Sequence, residues 1–291
     1  MDKIAITGSS GRIGRALHWK LCQNFRVEGL DISPSSATSK IVDVRDYDQL
    51  LRSFEGVDTV FHTAALHAPH VGIASERDFY EINVYATEKI ARAALESGVS
   101  QLVFTSTTAL YGYATYGKEQ AVWIDEQTPP EPKTIYHQTK LAAEQIVKDY
   151  ASKDLAVSVI RMSRCFPEPV HTMAVYRLHR GVDYRDVAEA HLLAAQRKKE
   201  NFFDIYVISG MTPFEKSDSQ MLYENPELVI RLRQPLLAKE FDKRGWEFPK
   251  SIDRVYDSSY AQRILKWKPT KGSLEVIKQF DQGDFEILPP G

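Results

Sequence analysis

Lys3-Ile4-Ala5-Ile6-Thr7-Gly8-Ser9-Ser10-Gly11-Arg12-Ile13-Gly14 is the stretch on which the fold class turns. Its first five residues read as a short buried strand. The chain then turns through Gly8 to Gly11 and enters a helical pattern that continues through Leu17 and Leu21. A glycine turn with a strand before it and a helix after it is the setting of a dinucleotide phosphate site. Gly8 permits the tight turn, Gly11 lets the backbone approach a pyrophosphate, and Gly14 lets helix and strand pack closely. The helix N-terminus, with Ser10, Arg12 and Ile13 around it, offers amide donors and the positive end of a dipole to phosphate. A glycine turn with no ligand is the alternative, and the matched flanks argue against it.

Outward from that stretch, strand and helix patterns alternate. Val27 to Leu30 reads as a second strand ending at Asp31. An acid there accepts hydrogen bonds from an adenosine ribose and repels a 2'-phosphate, which favours NAD over NADP. A plain strand-end turn would also suit an Asp. Ile41 to Val44 and Val57 to Phe61 read as further strands, the latter running into Thr63-Ala64-Ala65-Leu66. A helix is expected from about Glu76 to Ser97, carrying Asn83, and a fifth strand from Leu102 to Thr105. The alternation implies an α/β fold with a doubly wound, parallel, Rossmann-type sheet. Ligands bind such sheets beyond the carboxyl ends of the strands, where Gly8, Asp31, Asp43, Thr63 and Thr107 all fall.

The second informative stretch is Ile135-Tyr136-His137-Gln138-Thr139-Lys140, just past Pro129, Pro130 and Pro132 and opening a helical run to Tyr150. Residues four apart share a helix face, so Tyr136 and Lys140 point the same way. A nearby ammonium stabilises a phenolate and lowers its pKa, which makes the pair a general acid/base candidate.

Composition narrows the class without naming an activity. With 291 residues, 43% hydrophobic and 26% charged, the chain is an ordinary soluble globular protein. A formal net charge of -2 and the lack of a basic tract give no case for nucleic acid. No apolar run is long enough for a bilayer, and a strand-like run at Lys3 leaves no room for a signal peptide. A cytoplasmic location is the default expectation. Cys22 and Cys165 make neither a disulfide framework nor a zinc pattern. His67-Ala68-Pro69-His70 lacks a third ligand and is interrupted by proline, so a pocket edge or loop is expected there and no metal.

Taken in order, Thr7-Gly8-x-x-Gly11-x-x-Gly14, Asp43-Val44, His62-x-Ala64-Ala65, Asn83-Val84-x-x-Thr87, Thr105-Ser106-Thr107 and Tyr136-x-x-x-Lys140 resemble the extended short-chain dehydrogenase/reductase superfamily, in its epimerase/dehydratase branch. Ile160-Arg161, Asp183 to Ala188 and Leu265 to Pro269 are similar to later landmarks of that branch. The resemblance implies NAD as cofactor, a small-molecule substrate, and a homodimer formed through the helices carrying Asn83 and Leu141. It implies Thr107 as the hydroxyl that positions the substrate oxygen, with Thr108 beside it, and Tyr136 as the acid/base. Lys140 would also bond the nicotinamide ribose. Asp43 and Val44 would line the adenine, and Thr63, Ala64 and Ala65 the pyrophosphate and ribose side. Asn83, Thr105 and Cys165 would complete the cofactor's surroundings.

By the same resemblance, residues 1–169, with 183–210 returning, form the NAD-binding domain. Residues 170–182 and 211–291 form a small substrate lobe. Two departures narrow the activity. Dehydratases of the branch place an Asp-Glu pair after the catalytic threonine, whereas this chain has Thr108-Ala109, so water elimination is disfavoured. Arg164 stands where nucleotide-sugar epimerases carry an Asn, and only Val170 to Val182 separates that stretch from Asp183. The short interval and Pro167-Glu168-Pro169 resemble uronate dehydrogenases. They point to an oxidoreductase for a small sugar or sugar acid, with a nucleotide-sugar epimerase or a non-catalytic NAD(P) sensor as alternatives. A guanidinium fork suits a sugar carboxylate, and Arg164 or Arg177 is expected to supply it. His67 is a further candidate at the substrate edge.

Overall fold

The computed structural model describes residues 2–197, 202–284 and 286. Residues 1, 198–201, 285 and 287–291, which the sequence reading assigns to one lobe or the other, lie outside that description. The strands are β1 (Lys3–Thr7), β2 (Arg26–Asp31), β3 (Lys40–Ile41), β4 (Thr59–His62), β5 (Gln101–Thr107), β6 (Val122–Ile124), β7 (Ala156–Met162), β8 (Phe203–Ile208) and β9 (Arg254–Tyr256). Through the first part of the chain the helices are α1 (Arg12–Leu21), α2 (Tyr47–Ser53), α3 (Glu76–Tyr80), α4 (Ala86–Glu96), α5 (Ile135–Tyr150), α6 (Val170–His179) and α7 (Tyr184–Gln196).

Seven strands form one sheet in the order β3-β2-β1-β4-β5-β7-β8. The pairings of β1 with β2 and β4, of β2 with β3, and of β4 with β5 are all parallel. The order reverses between β1 and β4, and a doubly wound sheet offers its ligand crevice at that switch point. Burial on both faces explains the near-continuous apolar strands: Ile4, Ala5 and Ile6 of β1, and Val60 and Phe61 of β4, are fully enclosed.

The chain divides into two compact units. The first comprises Met1–Gly112, Pro130–Arg161 and Val187–Tyr206. Its core runs from Leu30, Leu50 and Phe54 through Ile90 and Phe104 to Val147 and Val159. The second comprises Tyr113–Pro129, Met162–Asp186 and Val207–Gly291. Its core gathers Met173, Leu178, Ile230, Phe241, Val255 and Val276. Tyr113–Pro129, expected within the NAD-binding domain, belongs to the second unit. The cause is β6, which pairs in parallel with β9 and brings Val122 opposite Arg254.

Two elements differ from the sequence expectation. The third strand is only Lys40–Ile41; Val42 and Val44 turn into the core while Asp43 stays outside it, chelated by Arg45. The helix expected over Glu76 to Ser97 is interrupted. Glu81–Tyr85 forms a wider, π-helical turn between α3 and α4, and Asn83 is buried in it. Such turns inside α-helices mark places where a side chain needs an unusual direction.

Helix α5 starts after the proline cluster with Thr134 as its N-cap. Its buried stripe is Tyr136, Thr139, Lys140, Ala143, Glu144 and Val147, at the three-and-four spacing of one helix face. Three members of that stripe, Tyr136, Lys140 and Glu144, are titratable, so the face does chemistry or ties a network as well as packing.

Candidate active site

The glycine turn forms a tight cradle in the first unit. Gly8 has φ 75°, and a Cβ placed on it would lie 2.5 Å from the Ala64 amide nitrogen. At Gly14 a Cβ would lie 2.1 Å from the Gly8 carbonyl oxygen, so this glycine packs α1 onto the turn itself more than onto the strand. Gly11 is different. A Cβ there would meet only the Gly8 oxygen, at 3.3 Å, and no side chain caps α1. The cradle is closed behind and open at Gly11 and the helix N-terminus. The Asp31 carboxylate is set beside it, accepting the Ser10 and Ser33 amides at 2.9 Å each. A carboxylate has acceptor capacity beyond two such bonds.

At the switch point, Thr63 Oγ1 donates to the carbonyls of Thr7 and Gly8 and ties the ends of β1 and β4 together. His62 lies fully buried beside them, and burial drives its pKa well below the usual histidine range, with Lys140 adding to the shift. Thr87 Oγ1 spends its proton on the Asn83 carbonyl, so it accepts from His62 Nε2 at 2.9 Å. The neutral ring then accepts the Thr7 hydroxyl proton at Nδ1, 2.8 Å away.

Asn83 clamps the loop after β4. Its carboxamide accepts from the Leu66 amide at 2.8 Å, donates to the Leu66 carbonyl at 2.9 Å, and reaches Thr139 Oγ1 on α5 at 3.1 Å. It holds the segment that carries Ala64, Ala65 and His67. His67 and His70 meet edge to face at 4.5 Å, and burial, then His70, lowers the His67 pKa. Among the described residues no group of three such side chains is placed to hold a metal ion.

Thr107, Tyr136 and Lys140 come together at the end of β5. Thr107 lies against the Tyr136 phenol and favours the phenolate. Burial outweighs it and pushes the phenol up to about 12. Lys140 is expected from sequence to lower that pKa by its charge. Here its Nζ donates instead to the Thr105 carbonyl at 2.7 Å and lies 3.9 Å from the centre of the Phe104 ring. Burial brings Lys140 itself down to about 7, with Glu144 pulling the other way. Thr108 is buried in the short turn Thr108–Tyr111, next to the Thr107 oxygen, which accepts the Ala109 amide at 3.1 Å.

Asp43 is engaged elsewhere. Arg45 grips it through Nε and Nη2 at 2.6–3.1 Å and lowers its pKa.

With this geometry in place, sequence comparison decides the family. The sequence model described as the NAD dependent epimerase/dehydratase family matches residues 4–173. The chain belongs to that family. Among its relatives is an N-acetyl-α-D-glucosaminyl-diphospho-ditrans,octacis-undecaprenol 4-epimerase of Escherichia coli O157:H7, 30% identical over 173 residues, which are 57% of this chain and 50% of that protein. Another is an L-arabinose 1-dehydrogenase (NAD(P)(+)) of Haloferax volcanii, 32% identical over 169 residues, 53% of this chain and 63% of that one. The matches thus span one half to under two thirds of these relatives. In fold, the chain is similar to a NAD-bound short-chain dehydrogenase/reductase superfamily protein from Agrobacterium tumefaciens, with TM-score 0.72, 18% identity and 95% of each chain covered. It is also similar to a UDP-N-acetylglucosamine 4-epimerase from Bacillus cereus, with TM-score 0.71, 20% identity and coverage of 97% and 98%.

NAD is the cofactor of this family, and the residues present fit it. The open face at Gly11 and the uncapped start of α1 suit a pyrophosphate, and the pinned Asp31 carboxylate suits ribose hydroxyls. No helix among the described residues is long and apolar enough to cross a membrane.

The second unit holds the remaining candidates. Arg164 leaves 46% of its side chain exposed, pairs with Glu168, and is tied through its backbone to Arg180 and Val182. Arg177 lies on the inner face of α6. It is 3% exposed, donates to the Val182 carbonyl and pairs with Asp183 at 3.4 Å. Arg177 therefore departs from the expectation that it meets substrate, because the same charge that suits a substrate carboxylate has been taken by a buried one. Cys165 is buried.

Sequence reading missed Ser106, Tyr111, Glu144, Arg161 and His191, which surround the Thr107 set. Glu144 had a signal, lying four residues after Lys140 and eight after Tyr136 on the same helix face. His191 had none, because its partner Thr105 is 86 residues away.

Proposed function

We propose that the protein is an NAD-dependent oxidoreductase acting on a hydroxyl of a small sugar or sugar acid, with Tyr136 as acid/base. The meeting of Thr107 with the buried Tyr136 phenol, one helical turn from a buried Lys140, carries the reading. NAD, when bound, supplies the hydride acceptor. Thr107 holds the substrate oxygen, and Tyr136 takes its proton as the carbon gives up hydride. With its phenol at about 12, Tyr136 rests in the protonated form, ready to act as acid in the reverse direction. In the oxidative direction it must first ionise, which Thr107 favours. Lys140 is held by the Thr105 carbonyl and exchanges its proton near neutral pH.

A small substrate is supported by the short run Val170 to Val182 and by the similarity to an arabinose dehydrogenase. For an acidic sugar, Arg164 is the guanidinium with side chain to offer. The similarity to a 4-epimerase favours a second reading, in which cofactor is retained and a nucleotide sugar is epimerised. One screen separates them. Purified protein is mixed with NAD and, in turn, with uronates, neutral aldoses and nucleotide sugars, and both NADH absorbance and product stereochemistry are read. NADH formed with a uronate or aldose supports the first reading. An epimerised nucleotide sugar without net NADH replaces it with the second.

A further inference from the structure

The last three residues of β5 each meet α5, and each at a different turn of it. Thr107 lies against the Tyr136 phenol, the Thr105 carbonyl accepts Lys140, and Ser106 Oγ donates to Glu144 Oε1 at 2.5 Å. Tyr136, Lys140 and Glu144 are successive four-residue steps along one helix face. Two of these rungs belong to the reacting set. The third, Ser106 to Glu144, touches neither substrate nor cofactor in the reading above, yet it is the most heavily built.

Glu144 is gripped by a fork. Arg161 of β7 donates to it from Nε at 3.0 and 3.2 Å and from Nη2 at 2.7 Å, and both side chains are 5% exposed. The remaining arm, Nη1, donates to the Tyr111 hydroxyl at 2.8 Å. Tyr111 is fully buried in the turn that begins at Thr108, directly after Thr107. One ion pair thus ties together the helix carrying Tyr136, the strand end carrying Thr107, and the turn that follows it.

We propose that the buried Glu144–Arg161 pair is a positioning device that holds Thr107 within hydrogen-bonding reach of the Tyr136 phenol. The alternative is a purely structural pair, and the energetics favour more than that. Taking two charges out of water costs several kcal/mol per ion, and replacing such a pair with apolar groups of similar volume is often neutral or stabilising. Stability alone is a weak reason to bury it. A bidentate fork supplies what apolar packing cannot, a defined direction and distance. The pair also places a negative charge one turn from Lys140, where it favours the protonated amine against burial. Facing the same amine are Tyr136 and Glu144 on α5, His62 at the end of β4 and His67 in the loop that follows, both histidines shifted toward the neutral form.

The inference rests on the functional reading for its purpose, but its test does not need a substrate. Protein labelled at the tyrosine ζ-carbon is observed by NMR at neutral pH, and the Tyr136 signal is identified by its loss in Tyr136→Phe. Thr107→Val defines the signal of a phenol without its threonine partner. The decisive variant is Glu144→Gln with Arg161→Met, which leaves no lone charge buried. The expected result is a melting temperature near that of the wild type, with the Tyr136 signal moved as in Thr107→Val. If the signal stays at its wild-type position, the pair is structural only and the proposal is overturned. Should the double variant not fold, Tyr111→Phe decides the question, since it removes one arm of the network and leaves the ion pair. It is expected to move the signal in the same direction by less, and an unmoved signal overturns the proposal. Failure of the functional reading is visible separately, as turnover retained by Tyr136→Phe.

Discussion

The candidate reacting groups of the first unit and the candidate substrate arginine of the second, Arg164, are held differently. In the first, the candidate reacting groups are enclosed and held by strand ends and helix turns of the same unit: Thr105 bonds Lys140, Ser106 bonds Glu144, and Thr107 lies against Tyr136. In the second, Arg164 lies half exposed beside Glu168, and Arg231, Arg233 and Arg244 form pairs with acids at the surface. The family match follows the same division, running from residue 4 to 173 and leaving most of the second unit uncovered. Chemistry demands fixed geometry, so it is built from buried, mutually bonded groups. Recognition can be altered by exchanging exposed side chains at little cost to the fold.

The largest effect should come from the first unit. Tyr136→Phe removes one oxygen and is expected to lower turnover by roughly 10²–10⁴. NAD affinity, measured by fluorescence titration, should stay close to that of the wild type, since the glycine cradle and Asp31 are untouched. Near-normal turnover on a verified substrate would remove the mechanism.

A pair of arginines in the second unit sharpens the comparison from within. Arg177→Met leaves Asp183 buried with Arg185 as its remaining cation. Breaking a buried pair costs about 3–5 kcal/mol, and Arg185 should hold the loss to the low end. Arg164→Met removes an exposed pair worth at most about 1 kcal/mol. Denaturant melts should therefore separate the two clearly. In activity the order reverses. Loss of Arg164 should lower efficiency on a uronate selectively, by an amount on the order of 2–5 kcal/mol if the contact is desolvated, with the neutral aldose little changed. Equal losses on both sugars would drop the carboxylate reading.

What sequence could reveal follows the same line. The glycine turn, Asp31 and Tyr136-x-x-x-Lys140 are local patterns whose spacing carries the physics, and they led directly to the sheet and its switch point. Three things were not local. The π-helical turn at Glu81–Tyr85 reads as ordinary helix, because apolar periodicity barely changes when one residue is added to a turn. The strand Val122–Ile124 carries no local signal, because its partner, Arg254–Tyr256, is 132 residues away. The direction of the Tyr136 pKa was misjudged because burial cannot be read from a four-residue spacing, and burial dominates it.

A smaller effect tests that burial directly. An unfolded lysine keeps its proton to about pH 10.4, whereas Lys140 in the fold is lowered to about 7. Between those values the unfolded chain binds more protons, so stability should rise with pH through that window. Lys140→Met should flatten this contribution, read as the difference between wild-type and variant unfolding free energies at pH 7 and pH 9.5. Tyr136 is present in both proteins, so its own titration cancels in that difference. Parallel pH dependences would mean that Lys140 is better hydrated than its enclosure suggests.

The smallest expected effect concerns cofactor choice, and it asks whether the first unit's geometry also sets specificity. The Asp31 carboxylate is held by the amides of Ser10 and Ser33, so it cannot swing away from an incoming 2'-phosphate. A fixed negative charge close to that phosphate should disfavour NADP, and NAD should bind the unmodified protein more tightly. Asp31→Ser frees both amides and removes the charge together. Asp31→Asn removes the charge while keeping the shape and one of the two acceptors, so it retains part of the loop support that Asp31→Ser loses. Both are expected to narrow the NAD-to-NADP affinity ratio by about tenfold, or roughly 1.4 kcal/mol. Asp31→Ser should also weaken NAD itself more than Asp31→Asn, because the turn loses both of its anchors. The arabinose dehydrogenase relative is named for both cofactors, so family membership alone does not decide the outcome. Equal or tighter NADP binding by the unmodified protein would show that a cation elsewhere, such as Arg12 at the start of α1 or Arg26 at the start of β2, outweighs the carboxylate.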